Sequence, residues 1–221
     1  MSQAPILQAI GLQAEGLLPY DPALDAPAGH HPIYDYDSGP PVDRAKFAMW
    51  LFLATEVMFF TGLIGTYLVL RIGSSYWPNP EQRLAVPVTA LNTFLLITSS
   101  WTMVRALHAI QKGDQRGLIL WLGGTIVGGA TFVSVQVYEY LELIHHGSIP
   151  SVDIFWTTFY TMTGFHGLHV IVGVIWLIAT WISAARSKFT AKNYLRVEMA
   201  GLYWHFVDLV WVLLFTIVYL M

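Results

Sequence analysis

The sequence predicts an all-α integral membrane protein, a bundle of five transmembrane helices behind an extended, acidic, proline-rich N-terminal tail. Three observations carry this reading. Of 221 residues, 55% are hydrophobic and only 11% charged, with mean hydropathy +0.54, whereas soluble domains carry roughly 25% charge. Five apolar runs follow residue 44, each longer than the ~20 residues that cross a ~30 Å hydrocarbon core as a helix. The segment ahead of them differs sharply in composition. It holds seven of the eleven prolines, six acids and no Lys or Arg, a charge of −6 that leaves +3 for residues 44–221 of a chain at −3 overall.

Prolines spaced this closely forbid a long helix, so residues 1–43 read as a water-exposed arm. No cationic stretch precedes its mildly apolar start, so it does not read as a signal peptide. The apolar runs cover approximately Ala45–Leu70, Pro87–Ile110, Gly117–Leu143, Asp153–Ser183 and Val197–Leu220. Pro87 opens the second, where a missing N–H costs nothing. Breaks rich in Gly, Pro, Ser and charge separate them, for example Lys112-Gly-Asp-Gln-Arg116 and His145-His-Gly-Ser-Ile-Pro150. No run repeats another, which argues against an inverted-repeat transporter. A cytoplasmic tail and five crossings place Arg44, Lys46, Arg105, Lys112, Arg116, Arg186, Lys188, Lys192 and Arg196 inside, with only Arg71 and Arg83 opposite. That asymmetry fits an inner (cell) membrane protein with its C-terminus outside. Trp77, Trp101, Trp121, Trp156 and Trp181 fall near run ends, where an interfacial belt is expected.

The same composition excludes several function classes. Eleven Lys+Arg against fourteen Asp+Glu form no basic stripe, which argues against nucleic acid as a partner. Zero cysteines exclude disulfides, thiolate zinc sites, iron–sulfur clusters and thiolate-bridged copper.

Ionisable groups at membrane depth are the site candidates, because each is costly there unless paired or neutralised. Glu56 sits near the middle of the first run. A carboxyl there is expected to be protonated and to donate to a neighbouring helix. Two roles fit it: a proton-exchanging or lipid-contacting acid, or a neutral hydrogen bond that sets packing. At the end of the third run, Glu139 and Glu142 are expected near the outer interface, where water makes their ionisation cheap. In the fourth, His166 and His169 lie three apart, hence on one face, with Gly164, Gly167 and Gly173 permitting close helix approach. Two histidines can begin a haem or copper site, but no third strong ligand follows at a telling spacing, so structural hydrogen bonding is the favoured role. In the fifth, Glu198, Gly201, His205 and Asp208 form a stripe at i, i+3, i+7 and i+10. It must face protein or a polar cleft. Asp208 is expected to hold His205, and the pair suits a lipid phosphate or a hydrogen-bond network equally. No metal site is expected.

Thr55-Glu-Val-Met-Phe-Phe60, Leu91-Asn-Thr93 with Ser99-Ser100, Gln136-Val-Tyr-Glu-Tyr140, Thr163-Gly-Phe-His-Gly-Leu-His169 and Tyr203-Trp-His-Phe-Val-Asp208 occur in this order. Together they resemble subunit III of the haem–copper terminal oxidases, the cytochrome c and quinol oxidases, in a short five-helix bacterial form. The resemblance runs from about Lys46 to the end and leaves the tail unmatched. It implies a non-redox subunit with no catalytic centre of its own. The partners it implies are oxidase subunits I and II, which carry the haem and copper, with a larger respiratory supercomplex as a further setting. It also implies bound phospholipid and support for proton uptake during aerobic electron transport. Glu56, Glu139, His205 and Asp208 fall on family motif positions. Many relatives carry two further helices ahead of the first run and hold lipid in the cleft so formed. Without that pair, a cleft wall is expected from another subunit. Two alternatives stand beside this one: the subunit-III-like accessory of a nitric oxide reductase, and a stand-alone membrane transporter.

Overall fold

The computed structural model describes residues 44–79 and 83–221. The tail expected over 1–43 lies outside the described residues. The chain divides into two units, Met1–Phe47 and Ala48–Met221; of the first, only residues 44–47, the opening of α1, are described.

Five helices account for nearly everything described: α1 Arg44–Gly73, α2 Val86–Gln111, α3 Gln115–His145, α4 Ile154–Ala185 and α5 Leu195–Phe215. A short π-helical turn, Thr216–Leu220, continues α5. Their ends follow local chemistry. The Asp114 carboxylate accepts from Gly117 N at 2.9 Å to start α3, and Asp153 does the same for Trp156 N at 2.9 Å to start α4; each satisfies an otherwise orphaned first-turn donor. Gly147, at φ +77, ends α3 in the left-handed conformation that glycine adopts without strain, while Ser148 N closes on Leu143 O at 2.9 Å.

Four of these helices are long and apolar enough to cross a membrane by length and composition; α2 falls short. The length expected of each run holds for α2 too, at 26 residues; its hydropathy is what sets it apart. The reason is its inward face, where Thr89, Asn92, Thr93, Ser99 and Ser100 are buried. Those polar groups lower its hydropathy while being sheltered by neighbouring helices: Asn92 donates to Phe132 O at 3.2 Å, and Thr93 accepts from Trp211 Nε1 at 2.9 Å.

Helix α2 packs on α3 and α5, and α4 closes against the same two. Helix α5 is the most enclosed, with Trp204 and Trp211 almost wholly buried. Trp204 fills a notch made by two glycines. A Cβ at Gly129 would come within 2.4 Å of its ring and one at Gly173 within 3.1 Å. Its Nε1 donates to Ser99 Oγ on α2 at 3.1 Å. Of the three glycines expected to serve close approach on α4, only Gly173 does so; Gly164 meets nothing nearer than the Tyr140 hydroxyl at 4.0 Å and Gly167 nothing within 4 Å. Helix α1 lies against the others through side chains, with Phe52 stacked on Tyr203 and Phe60 against Phe206. The belt expectation also needs one correction. Trp156 is fully buried, packed on Phe155 and Phe159 of its own helix.

Candidate functional site

Glu56 on α1 and His169 on α4 meet across the helix gap, Oε2 to Nε2 at 3.1 Å, each side chain 18% exposed. The other ring nitrogen, Nδ1, lies 2.7 Å from the Phe165 carbonyl of the same helix. A carbonyl only accepts, so Nδ1 carries a proton and the Nε2 contact must be resolved with Glu56. Two arrangements satisfy it: a neutral acid donating to neutral imidazole, or a carboxylate accepting from imidazolium. Both share one proton and sum to zero charge, the condition under which such groups persist in a low-dielectric setting. Phe60 stands edge-on to the imidazole with centroids 5.1 Å apart. The Tyr203 hydroxyl donates to His169 O at 3.1 Å, tying in α5. Beside the pair is a recess of about 240 Å³ lined by Phe52, Leu168, His169, Val172, Trp176 and Tyr203.

His166, three residues earlier, has a different fate. It is fully buried, stacked on Trp211 at 4.9 Å and edge-on to Phe132 at 6.0 Å. Neither ring nitrogen has a hydrogen-bond partner among the described residues, which overturns the hydrogen-bonding role expected for it. A three-residue step turns a helix by about 300°. That is enough to give His169 to α1 and His166 to the aromatic core.

Glu139 also departs from expectation. It is buried rather than hydrated, because α2 and the π turn after α5 close over it. The Thr89 hydroxyl reaches its two oxygens at 3.3 and 3.4 Å, and the Tyr219 hydroxyl donates at 3.3 Å. Close by, Tyr140 and Thr163 hydroxyls share a 2.6 Å bond between α3 and α4. Glu142, one turn on, is exposed. This geometry predicts that Glu139→Gln is well tolerated, since an amide oxygen accepts the same bonds. Glu139→Leu is expected to cost about 1–3 kcal/mol by leaving the buried Tyr219 hydroxyl without its acceptor, while Thr89 keeps the Ala85 carbonyl. Thermal unfolding in detergent checks this, and equal melting temperatures for the two variants would refute it.

On α5, His205 Nδ1 lies 2.6 Å from Ser100 Oγ of α2, and Asp208, one turn on, is half-buried, its Oδ1 enclosed and without a hydrogen-bond partner among the described residues. His205 is therefore held by Ser100, where a hold from Asp208 was expected from the spacing. Ser100 is a residue whose importance the α5 stripe concealed; the signal lay in the run of hydroxyls at the same depth of α2. Glu198 stands half-buried in the first turn of α5, where the helix dipole favours an acid. It is about 10 Å of helix rise from His205. A separate recess of about 360 Å³ between α4 and α5 is lined by Trp176, Thr180, Ser183, Phe189, Arg196 and Met199 among others.

Among the described residues, no group of three or more His, Cys, Asp or Glu is placed to hold a metal ion. The donor chemistry agrees, since cysteine is absent and His166 is walled in by aromatic rings. These residues do not fit a haem or copper centre.

Residues 38–221 match the family model for cytochrome c oxidase subunit III. The chain is 39% identical over 179 residues to cytochrome c oxidase subunit 3 of Bacillus sp. (strain PS3), covering 80% of this chain and 86% of that one. Against cytochrome c oxidase subunit 3 of Thermostichus vulcanus it is 40% identical over 180 residues, 81% and 88% of the two chains. It is also 35% identical over 193 residues to the cytochrome bo(3) ubiquinol oxidase subunit 3 of Pseudomonas aeruginosa, 87% and 91%.

Proposed function

The chain belongs to the cytochrome c oxidase subunit III family, a non-catalytic part of a membrane oxidase complex, and from that premise we propose that it packs on the haem-bearing catalytic subunit of a proton-pumping oxygen reductase, holds phospholipid and sustains proton uptake. Residues 44–221 form its membrane domain, α2 crossing with the other four helices because its polar face is sheltered by protein. The N-terminus is cytoplasmic and the C-terminus outside, as the distribution of Lys and Arg favours. Subunits I and II are its partners and carry the redox centres.

The observation that carries this reading is the Glu56–His169 pair. A proton can move between carboxyl and imidazole at 3.1 Å with no change in net charge, so it can be held or passed on where an isolated ion would be prohibitively costly. The adjoining apolar recess between α1, α4 and α5 suits an acyl chain. The recess bearing Arg196, Thr180 and Ser183 suits a phospholipid head, a cation and two hydroxyls at the end of otherwise apolar helices.

Affinity purification of the full chain from its native membrane in mild detergent is the test. Haem-bearing subunits should co-elute with Soret absorbance, phospholipid should be retained, and the chain freed of partners should show no Soret band. Elution of the chain alone, or a Soret band that stays with it, would defeat the proposal.

A further inference from the structure

Where α2 turns into α3, two tryptophans hold an arginine. Trp101 on α2 and Trp121 on α3 meet edge to face with centroids 5.4 Å apart. The Arg105 guanidinium lies 5.9 Å from the Trp101 ring and 5.2 Å from the Trp121 ring. Each is a cation–π attraction, and together they give the side chain a fixed seat. Its five N–H donors are not spent there: among the described residues Arg105 makes no hydrogen bond and no ion pair. Nor are they enclosed, since Arg105 is exposed and Trp101 beside it is 55% exposed. A guanidinium keeps its charge at any physiological pH, so the seat presents a permanent cation outward.

The surroundings of the seat change along the helix. Trp101, Arg105, His108 and Lys112 recur at i, i+4, i+7 and i+11, one stripe of α2, and all four are exposed. In the turn beyond, Asp114 gives its carboxylate to Gly117 N at the start of α3. Toward the midplane the same stripe continues through Thr98 and Phe94, both exposed. Thr98 donates its hydroxyl to Phe94 O at 2.8 Å, so it offers no donor outward. Depth fits this order. Helix α3 has 31 residues, about 46 Å, which leaves about 8 Å at each end outside a ~30 Å hydrocarbon core. Trp121 lies six residues into α3 and Arg105 six before the end of α2, about 9 Å of rise. The cation therefore stands at the hydrocarbon boundary, with apolar surface on one side and two further basic residues on the other.

We infer that Trp101, Arg105 and Trp121, with His108 and Lys112 beyond them, bind an anionic phospholipid, its phosphate on the Arg105 guanidinium and an acyl chain along Thr98 and Phe94. Rings that fix the guanidinium leave its edge free for two parallel N–H bonds, the geometry a phosphate accepts. A lipid phosphate diester is the anion found at this depth. The head beyond it meets His108 and Lys112, which repel the amine of a zwitterionic lipid and tolerate an uncharged glycerol. The inference rests on the reading that the subunit holds phospholipid. It adds a site on α2 and α3, where the recess bearing Arg196 belongs to α4 and α5, and it names the headgroup class.

The test uses the whole oxidase complex, reconstituted into phosphatidylcholine vesicles with a trace of phosphatidylglycerol that carries a photoactivatable diazirine beside its glycerol backbone. After illumination, adducts should map to residues 101–112 and to Trp121. Unlabelled phosphatidylglycerol should compete them away, and added phosphatidylcholine should not. Arg105→Gln should lower the yield at these residues about tenfold, the loss of one charged, bidentate contact. Arg116→Gln, which removes an exposed cation from the same end of the bundle, should change it less than twofold. A yield unchanged by Arg105→Gln, equal competition by the two lipids, or an equal fall with Arg116→Gln would overturn the site. So would loss of a partner subunit from Arg105→Gln with labelling intact, which would put a protein carboxylate on the guanidinium. Where Arg105→Gln fails to accumulate, Arg105→Lys decides: it keeps the charge without the planar fork and should still label more weakly, and full labelling would overturn the seat. Adducts elsewhere on the chain with none here leave the phospholipid reading standing and remove only this site, whereas a chain that takes no label anywhere loses both.

Discussion

Trp204→Ala should lower the stability of the described bundle by about 3–5 kcal/mol, the cost of emptying a large core aromatic. The ring sits where α2, α3, α4 and α5 come together, pressed on the backbone at Gly129 and Gly173 and hydrogen-bonded to Ser99. Its loss opens a cavity that no flexible neighbour can fill, because both glycines lack side chains. It also removes the bond that Ser99 Oγ accepts from the indole, while the Ser99 hydroxyl still donates to Leu96 O at 2.6 Å. Gly129→Val acts on the same contact from the other side, since its Cβ would lie within 2.4 Å of the indole, an overpacking that costs about 1–3 kcal/mol. Thermal unfolding in detergent measures both. A Trp204→Ala variant melting with the native protein would show that the notch is not where these helices are held.

The second large effect concerns the Glu56–His169 pair. Glu56→Gln should leave assembly largely intact, because an amide can still hydrogen-bond His169. Glu56→Leu should destabilise the bundle more than Glu56→Gln does, because it leaves His169, one member of a half-buried pair, without the other. Replacing both residues with leucine should recover much of that loss, because no polar group is then left unpaired. The recovery identifies a pairwise interaction, which single substitutions cannot do. If Glu56→Gln abolished association with the oxidase partners, the pair would have to work as an obligate ion pair. If the double variant were no better than Glu56→Leu, the contact would contribute nothing beyond packing. Proton uptake, read as turnover of the reconstituted complex, should fall with Glu56→Gln even where assembly survives, since an amide has no proton to exchange.

The candidates themselves were legible in the chain. Glu56, His166, His169, His205 and Asp208 stand out because hydrocarbon makes each of them costly, so any that is present needs an explanation. Their partners were not legible in the same way. His166 and His169 are near-identical neighbours in sequence, yet one binds an acid on another helix and the other packs among rings without a hydrogen bond. Glu139 carries the same charge as Glu142, but only Glu139 lies under the turn that Tyr219 closes. Trp156 resembles the interfacial tryptophans in sequence, yet its ring is fully buried against Phe155 and Phe159. Ser100 reads as one hydroxyl among several, and only the pairing of α2 with α5 makes it the partner of His205.

Composition and run length alone determined that this is a multi-helix membrane protein without a thiolate metal centre. Those properties depend on the transfer of each residue between water and hydrocarbon, a cost that adds up along the chain and needs no knowledge of neighbours. The order of the motifs likewise pointed to the family. Which histidine meets which acid was decided only by the tertiary structure. A helix presents every side chain at about 100° intervals, and the rotation that selects among them comes from packing with other helices.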